Sequence, residues 1–375
     1  MDYTLGVGDT IAECYFLDVG QGSAQVIDLG DDSAIVIDCG RSYVVLGDLL
    51  HRWLRIRRIE ALILSHNDVD HVGGVAGLVR QYRRAIDRVY FLQDRNAGEL
   101  ADLQAMSFLR REAESGNIPD PIPLIRNPQN LLLYEGGDGP DALRLDLLFP
   151  GVFENISGQS SGDPNATCAV LLLRCGSRRI LFSGDADIRA WRSIHSGRTG
   201  PIECDVIAVP HHGGQIVRHK ATGEEYEELH EAIAADLRWL YGTAIQSRIA
   251  VISVGTSNPY PDPHPLPPQV AAINAAGSCV MCTQITSRCS SRLPNIRNSI
   301  LTPQELPGRS RVRQKQGNGG QARDIGCAGT ILVQLGPNSI QVARQQDHQN
   351  AIDRVLTAPT DHPLCRQRNR PADEE

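Results

Sequence analysis

The sequence predicts a mixed α/β fold built around a large core. Three observations support this class: short apolar, β-branched runs recur along the chain, Gly-containing turns separate them, and helix-like stretches lie between them. The 375 residues are 41% hydrophobic and 22% charged, so the chain can bury a large core. This composition excludes collagen-like, coiled-coil and wholly disordered proteins.

The first three predicted strands follow one another across short Gly turns, which is typical of an antiparallel meander. Several later strands end in polar loops, a common position for functional residues. The predicted elements are, in order, strands at 12–17, 23–29 and 33–37, a helix near 44–54, strands at 61–64, 143–148, 169–173, 179–182 and 205–209, a helix at 224–240, a strand at 248–254, and strands at 330–335 and 339–343.

The chain is expected to form one main domain, over residues 1–300. Within it, 97–140 contains several prolines and a Gly-rich run, and we expect a surface excursion or lid there. Residues 301–323 are rich in Gly, Gln and Arg, which predicts a flexible basic loop. The segment 324–346 is expected to supply closing strands packed on the core, and 347–375 a disordered tail.

Composition also limits the partners. No apolar run approaches the roughly 20 residues that span a bilayer, and the N-terminus lacks the pattern of a signal peptide. We therefore expect a cytoplasmic protein without a membrane partner. The formal charge of −7 argues against a globally basic nucleic-acid-binding protein, although local basic groups remain.

Four metal-ligand side chains follow the predicted strand at 61–64. His66, Asp68, Asp70 and His71 fall within six residues. Two carboxylates this close repel each other unless a cation lies between them. The pattern predicts a metal site, and the alternative is a solvated polar loop.

Two further strand ends carry ligand-type residues. Asp185 follows the strand at 179–182, and His211 and His212 follow the strand at 205–209. Imidazole and carboxylate suit Zn²⁺, Mn²⁺ or Fe²⁺. Two such ions about 3.5 to 4 Å apart would share a bridging carboxylate, and Asp185 is the candidate bridge.

These motifs, taken together and in order, resemble the metallo-β-lactamase fold superfamily, and within it the ComEC-type hydrolases related to the domain attached to the bacterial DNA-uptake channel. We expect no membrane channel to accompany them here. The resemblance implies a four-layer αββα sandwich with two metals at the sheet edge, and hydrolysis, commonly of phosphodiesters, by a metal-bridging hydroxide. The matching motifs are FLDVGQG at 16–22, IDCG at 37–40, SHNDVDHVGG at 65–74, SGD at 183–185, VPHHG at 209–213 and ISVG at 252–255.

The resemblance also implies a ligand set. His66 and Asp68 would bind metal one, Asp70 and His71 metal two, Asp185 would bridge them, and His211 would complete the set, with Asp70 and Asp185 counted as catalytic; His212 would be an alternative ligand or would support one.

The site of metal one departs from the family pattern. The superfamily usually has His at the position of Asp68, and Asn165 lies where another His is expected. Oxygen atoms are harder ligands than imidazole nitrogens, in the sense of hard and soft acids and bases. We therefore expect Mn²⁺ or Mg²⁺ to compete better with Zn²⁺ at this metal site than at an all-His site.

Other residues are assigned supporting roles. Asp18 and Asp38 either accept the second N–H of a ligating His or are turn residues. Asn258 and His264 lie in a segment similar to the Asn-x-Tyr-Gly-His-Pro motif of the ComEC-type group, with two extra residues. His264 would contact the scissile phosphate or an oxyanion, or it is only structural.

The cysteines suggest a second metal. Cys279 and Cys282, with Cys289 and Cys327, can form a tetrahedral structural Zn²⁺ site. The alternative is that these four cysteines are unrelated, reduced thiols. The remaining cysteines are interpreted as small hydrophobic residues.

The favoured function is a dinuclear phosphodiesterase or nuclease acting on single-stranded DNA or RNA. Asn258, Arg309, Arg311 and Arg313 are the candidate substrate contacts. One alternative is a hydrolase of a small phosphodiester, a cyclic nucleotide or an ester. Another is a metal-stabilised, non-catalytic binding scaffold.

Overall fold

The computed structural model describes residues 10–92, 100–126, 131–161, 164–217, 226–256, 263–289 and 326–343, with 352–353, 356 and 363–366 near the C-terminus. The predicted loop at 301–323 and four predicted site residues, Asn258, Arg309, Arg311 and Arg313, lie outside the described residues. So does most of the predicted tail at 347–375.

The described strands form two mixed sheets. The strands are β1 Ala12–Phe16, β2 Gln25–Asp28, β3 Ser33–Ile37, β4 Arg58–Leu64, β5 Val89–Phe91, β6 Ile122–Pro123, β7 Leu131–Gly136, β8 Leu143–Phe149, β9 Val170–Cys175, β10 Arg178–Phe182, β11 Ile202–Ala208, β12 Ile245–Ile252, β13 Cys279–Cys282, β14 Ile331–Leu335 and β15 Ile340–Val342. Sheet one has the order β15-β14-β1-β2-β3-β4-β5-β6, and sheet two has the order β13-β12-β11-β10-β9-β8-β7.

Helices lie on the outer sides of the two sheets. The helices are α1 Tyr43–Asp48, α2 Val69–Val72, α3 Val75–Gln81, α4 Leu100–Glu114, α5 Val152–Ser161, α6 Ile188–Ser196, α7 Tyr226–Trp239 and α8 Pro267–Ala275. Short π-helical segments, Leu49–Trp53 and Leu240–Ala244, continue α1 and α7. Within the described residues, no helix has the length and apolar character needed to cross a membrane.

The layers are held by three apolar clusters. Between the sheets, the rings of Phe16 and Phe182 stack with their centroids 5.8 Å apart. A second cluster joins α1 to α4 with sheet one, and a third joins α6, α7 and α8 with sheet two. The order helix, sheet, sheet, helix confirms the predicted αββα sandwich.

The two ends of the described core meet in sheet one. Strands β1, β2 and β3 pair antiparallel, as the Gly turns predict. Strand β14 then pairs antiparallel with β1, with Leu335 opposite Ala12. The segment 324–346 therefore adds its strands to the edge of the first meander.

The described part of 97–140 is regular structure. It contributes α4 and an edge strand to each sheet, because β6 pairs with β5 and β7 pairs with β8. Leu109, Leu124 and Leu133 are buried. Proline and glycine content indicated a surface excursion here, but the apolar residues between them supply enough buried side chains to fix this segment on the core.

Helix α6 fixes the loop that follows β10. Asp187 caps the helix, because its Oδ1 accepts hydrogen bonds from the backbone N–H groups of Arg189 (2.9 Å) and Ala190 (3.2 Å). Trp191 and Ile194 bury the inner face of α6 against sheet two. The polar residues just before the helix are thus held at a constant position.

Candidate metal centre

The candidate centre lies where strands from both sheets end. Strand β4 of sheet one leads into the loop that carries His66, Asp68, Asp70 and His71. Strand β10 of sheet two leads to Asp185, and the next strand, β11, leads to the turn Pro210–Gly213 with its two histidines. The residues that the sequence placed at three separate strand ends are therefore brought together.

Hydrogen bonds fix the ring nitrogen that faces the centre in three histidines. Nδ1 of His71 lies 2.7 Å from Oδ2 of Asp38, and Nδ1 of His211 lies 2.9 Å from the carbonyl of Gln215. Nδ1 of His212 lies 2.9 Å from the carbonyl of Ser253. Because carboxylate and carbonyl oxygens only accept, Nδ1 carries the hydrogen in each ring, and Nε2 of the neutral ring presents a lone pair.

The Asp185 carboxylate is the meeting point of four imidazoles. Its Oδ1 lies 3.2 Å from Nε2 of His71 and 3.6 Å from Nε2 of His212. Its Oδ2 lies 3.6 Å from Nε2 of His66 and 3.8 Å from Nε2 of His211. The Nε2 atoms of His71 and His212 are only 3.2 Å apart. Two lone pairs facing each other at this distance repel unless a cation or proton lies between them.

These residues fit a bound metal. Nε2 of His66 and Oδ1 of Asp185 are buried and make no hydrogen bond among the described residues, and burying such atoms without a partner is unfavourable. One potential ligand atom from each of His66, His71 and Asp185 lies within 4.8 Å of the others, and the same holds for Asp70, His71 and His212. Imidazole and carboxylate together suit Zn²⁺ or Mn²⁺.

The electrostatics of the centre favour positive charge. Burial alone would raise the pKa of the Asp185 carboxyl, but the surrounding histidines, His71 foremost, hold that pKa well below its usual range. Burial and the neighbouring His66 oppose protonation of His71, yet Asp185 and Asp38 raise its pKa to about 10. A buried carboxylate that stays ionised among imidazoles is the electrostatic environment that a divalent cation requires.

The backbone of the turn after β11 is strained in order to present its histidines. His211 and His212 have φ angles of 53° and 54°, in the left-handed region that residues other than Gly rarely adopt. The His211 N–H donates to the carbonyl of Gly184 (3.0 Å), which ties this turn to the loop of Asp185. Such backbone strain is found mostly at functional sites.

Cys168, which was expected to be only a small hydrophobic residue of the core, contacts the candidate centre. Its side chain is fully buried, and Sγ lies 3.6 Å from Nδ1 of His66. The backbone N–H of Asp185 donates to the same sulfur (3.0 Å). This thiol therefore contacts two residues of the centre. Cys168 lies between Asn165 and the first residue of β9.

His264 lies beside the turn as a neutral hydrogen-bond donor. Nε2 of Gln21, which can only donate, is 3.3 Å from its Nδ1, so the ring hydrogen is on Nε2. Burial, with His211 and His212 nearby, lowers the pKa of His264 to about 4. A Cβ at Gly214 would lie 2.5 Å from Nε2 of His264, so glycine is needed for this approach.

The two aspartates proposed as supports differ. Asp38 makes the contact expected of it, with Nδ1 of His71, and also accepts from the backbone N–H and Oγ of Ser65 (2.8 Å each). Asp18 instead accepts from Nε2 of Gln284 (2.7 Å).

Asp68 and Asp70 each face a histidine of the centre. Oδ2 of Asp68 is 3.6 Å from Nε2 of His66, and 38% of its side chain is exposed. Asn165 is buried in the 3₁₀ turn Pro164–Thr167. Oδ2 of Asp70 is 3.7 Å from Nε2 of His212. The geometry therefore groups His212, where the sequence favoured His211, with Asp70 and His71.

Comparison with known proteins identifies a family for this chain. The family model described as "Metallo-beta-lactamase superfamily" matches residues 17–215. No curated protein matches the chain. Solved structures similar to it include Tm1679, a metal-dependent hydrolase of the beta-lactamase superfamily (14% identity, covering 72% of this chain and 95% of that one, TM-score 0.39). Another is the short form of human tRNase Z (16% identity, covering 64% of this chain and 91% of that one, TM-score 0.35). A third is Zn²⁺-bound PqqB from Methylobacterium extorquens (14% identity, covering 70% of this chain and 85% of that one, TM-score 0.38).

Proposed function

Since this chain belongs to the metallo-β-lactamase superfamily of metal-dependent hydrolases, we propose that it is a phosphodiesterase of the ComEC-type group that works with two divalent ions, Zn²⁺ or Mn²⁺. The observation that carries the proposal is the convergence of imidazole Nε2 atoms on the buried Asp185 carboxylate. In three of these rings a hydrogen-bonded Nδ1 leaves the Nε2 lone pair facing the centre.

The proposed ligand set follows the distances. His66, Asp68 and Asp185 would hold metal one, and Asn165 is a further candidate ligand for this ion. Asp70, His71, His212 and Asp185 would hold metal two, and His211 faces the Asp185 oxygen on the metal-one side.

The protein's own groups would orient the reaction. Bound divalent ions supply Lewis acidity toward a phosphate oxygen and lower the pKa of water. Asp38 and the carbonyls of Gln215 and Ser253 keep three imidazoles in one tautomer. His264, whose ring centroid lies 5.3 Å from that of His211, is proposed to hydrogen-bond a phosphoryl oxygen. The proposed substrate is single-stranded nucleic acid, with Asn258, Arg309, Arg311 and Arg313 as phosphate contacts.

The test is hydrolysis of bis(p-nitrophenyl) phosphate by metal-stripped protein refilled with Zn²⁺ or Mn²⁺. We expect turnover that requires metal and is lost in Asp185→Asn. Glu114→Gln, an exposed change at the end of α4, is the control and should leave turnover unchanged. Bound metal without turnover would contradict phosphodiesterase chemistry and favour the non-catalytic scaffold or another ester substrate.

A second candidate is a small phosphodiester, a cyclic nucleotide or an ester. The net charge of −7 and the 5% aromatic content favour it, because both disfavour an extended nucleic-acid surface. Salt dependence separates the two candidates. The apparent affinity for single-stranded DNA should fall steeply between low and physiological salt, whereas that for a small substrate should change little.

A further inference from the structure

A group of cysteines lies away from the candidate metal centre, on the outer side of sheet two. Cys282 and Cys327 are buried in the apolar cluster that joins this sheet to its helices, and Cys289 and Cys365 pack against the same cluster at intermediate exposure. They come from three separate parts of the chain. None of the four forms a disulfide bond.

Strand β13 separates the two cysteines of the Cys-x₂-Cys pair. Val280 and Cys282 belong to the outer cluster, whereas Met281 belongs to the core between the sheets. Because side chains alternate along a strand, Cys279 is on the face of Met281, opposite Cys282. The sequence suggested that this pair binds one metal, but in a strand the pair points in two directions.

Backbone contacts bring the other cysteines to Cys282. The N–H of Cys327 donates to the carbonyl of Thr283 (3.0 Å), and the N–H of Ala328 donates to the carbonyl of Cys282 (2.9 Å). Cys365 lies in the short 3₁₀ helix Leu364–Arg366, which contacts α8 and β13. A segment near the C-terminus thus brings the Cys365 side chain to strand β13, and we consider Cys365 rather than Cys279 as the fourth ligand.

The thiols influence one another as neighbours do. Burial raises the pKa of the Cys282 thiol well above its usual value, and Cys365 and Cys289 raise it further. The pKa of Cys327 is raised in the same way, by burial and then by Cys282, Cys365 and Cys289. The four thiols are therefore near one another, although no three of their sulfur atoms lie within 4.8 Å of one another among the described residues, so a bound ion would draw them together.

We propose that Cys282, Cys289, Cys327 and Cys365 bind one structural Zn²⁺ ion, which ties the segment around Leu364–Arg366 to the outer face of sheet two. Four thiolates in a tetrahedral set are a common ligand set for structural zinc. Binding displaces the four thiol protons, and no oxidant or reductant is needed. The ion would hold together segments that are distant in sequence, as structural zinc sites do.

Zinc content of the full chain, purified under reducing conditions, tests the proposal. We expect Cys327→Ser and Cys365→Ser each to lose one zinc per chain relative to the unmodified protein, with a lower melting temperature. Cys279→Ser is the matched control, since it changes a neighbouring cysteine on the other strand face, and it should keep the full zinc content. Unchanged zinc in Cys365→Ser, or an equal loss in Cys279→Ser, would overturn the assignment.

Cobalt substitution keeps the test valid if a serine variant fails to fold. Co²⁺ added to the metal-stripped, reduced chain should produce a near-ultraviolet sulfur-to-cobalt charge-transfer band. The band should be present in Cys279→Ser, and blocking the thiols with a mercurial should remove it. No such band in the unmodified chain, or an intact mass showing that these cysteines form disulfides after purification without reductant, would refute the zinc site.

Discussion

The contacts of individual histidines decide how the centre can bind a metal. His71 is the clearest case, because Asp38 holds its Nδ1 at 2.7 Å while its Nε2 faces both Asp185 and His212. A carboxylate behind an imidazole fixes the tautomer and increases the basicity of the other nitrogen.

Asp38→Asn tests this support. Asp38 has a φ of 58°, which asparagine tolerates, so the backbone should be kept while the charged acceptor is lost. We expect metal affinity to fall about 10- to 100-fold, measured by competition with a chelator. Asp18→Asn is the matched control, because Asp18 contacts Gln284 rather than His71. An equal fall in both variants would contradict the role given to Asp38.

Cys168 is predicted to position His66 and Asp185 together. Cys168→Ala leaves the buried N–H of Asp185 without its acceptor, at a cost of about 1–3 kcal/mol in unfolding free energy, and removes the contact with His66. Cys168→Ser restores an acceptor and should recover part of the loss. Urea unfolding of the metal-free protein and metal occupancy are the measurements, and a serine variant no better than alanine would argue against the hydrogen bond.

At the scale of elements, the turn Pro210–Gly213 shows what a few strained residues achieve. Its two consecutive left-handed residues turn both imidazoles toward the loop of Asp185, and the hydrogen bond from His211 to Gly184 holds the two loops together. A regular turn would not direct both adjacent side chains to the same carboxylate.

The two histidines of this turn are predicted to contribute unequally. His212 is buried and lies 3.2 Å from His71, whereas His211 is half-buried and lies 3.8 Å from Asp185. Asparagine accepts the left-handed backbone, so His211→Asn and His212→Asn differ mainly in the ligand removed. We expect His212→Asn to lose more bound metal by elemental analysis. A greater loss in His211→Asn would restore the assignment that the sequence favoured.

At the scale of the whole molecule, the centre joins the two sheets. Its candidate ligands come from the loop after β4 in sheet one and the loops after β10 and β11 in sheet two. A ligand that binds only the folded chain stabilises it by a free energy that rises with the logarithm of the ligand concentration. Metal should therefore act as a cross-link between the sheets.

Metal removal should lower stability as well as activity. At a free metal concentration of 100 times the dissociation constant, the gain in unfolding free energy is about 2.7 kcal/mol. Thermal unfolding with and without chelator, at fixed protein concentration, measures it. The shift should be smaller in Asp185→Asn, and a shift of equal size there would show that the stabilising metal binds elsewhere.

The sequence by itself determined the features that depend on neighbouring residues. Strand runs, Gly turns and the polar residues at strand ends are local patterns, and they predict a mixed α/β fold with a metal site at strand ends. The αββα arrangement and the joint ligand set of His66, His71 and Asp185 were implied by the resemblance that the ordered motifs carry. For Asp18 and Asp38 the sequence left two roles open, support of a ligating His or a place in a turn. Asp38 contacts Nδ1 of His71, whereas Asp18 accepts from Gln284.

Only the tertiary structure decided which side chains face one another. The grouping of His212 with Asp70, the contact of the Cys168 sulfur with His66, and the packing of Cys282 and Cys365 at the same apolar cluster all depend on side-chain direction and on contacts between distant segments. The edge strands within 97–140 depend on burial that Pro and Gly content conceals. Local sequence sets the backbone element, but a ligand set requires side chains from several elements to point to one place, and packing alone fixes that direction.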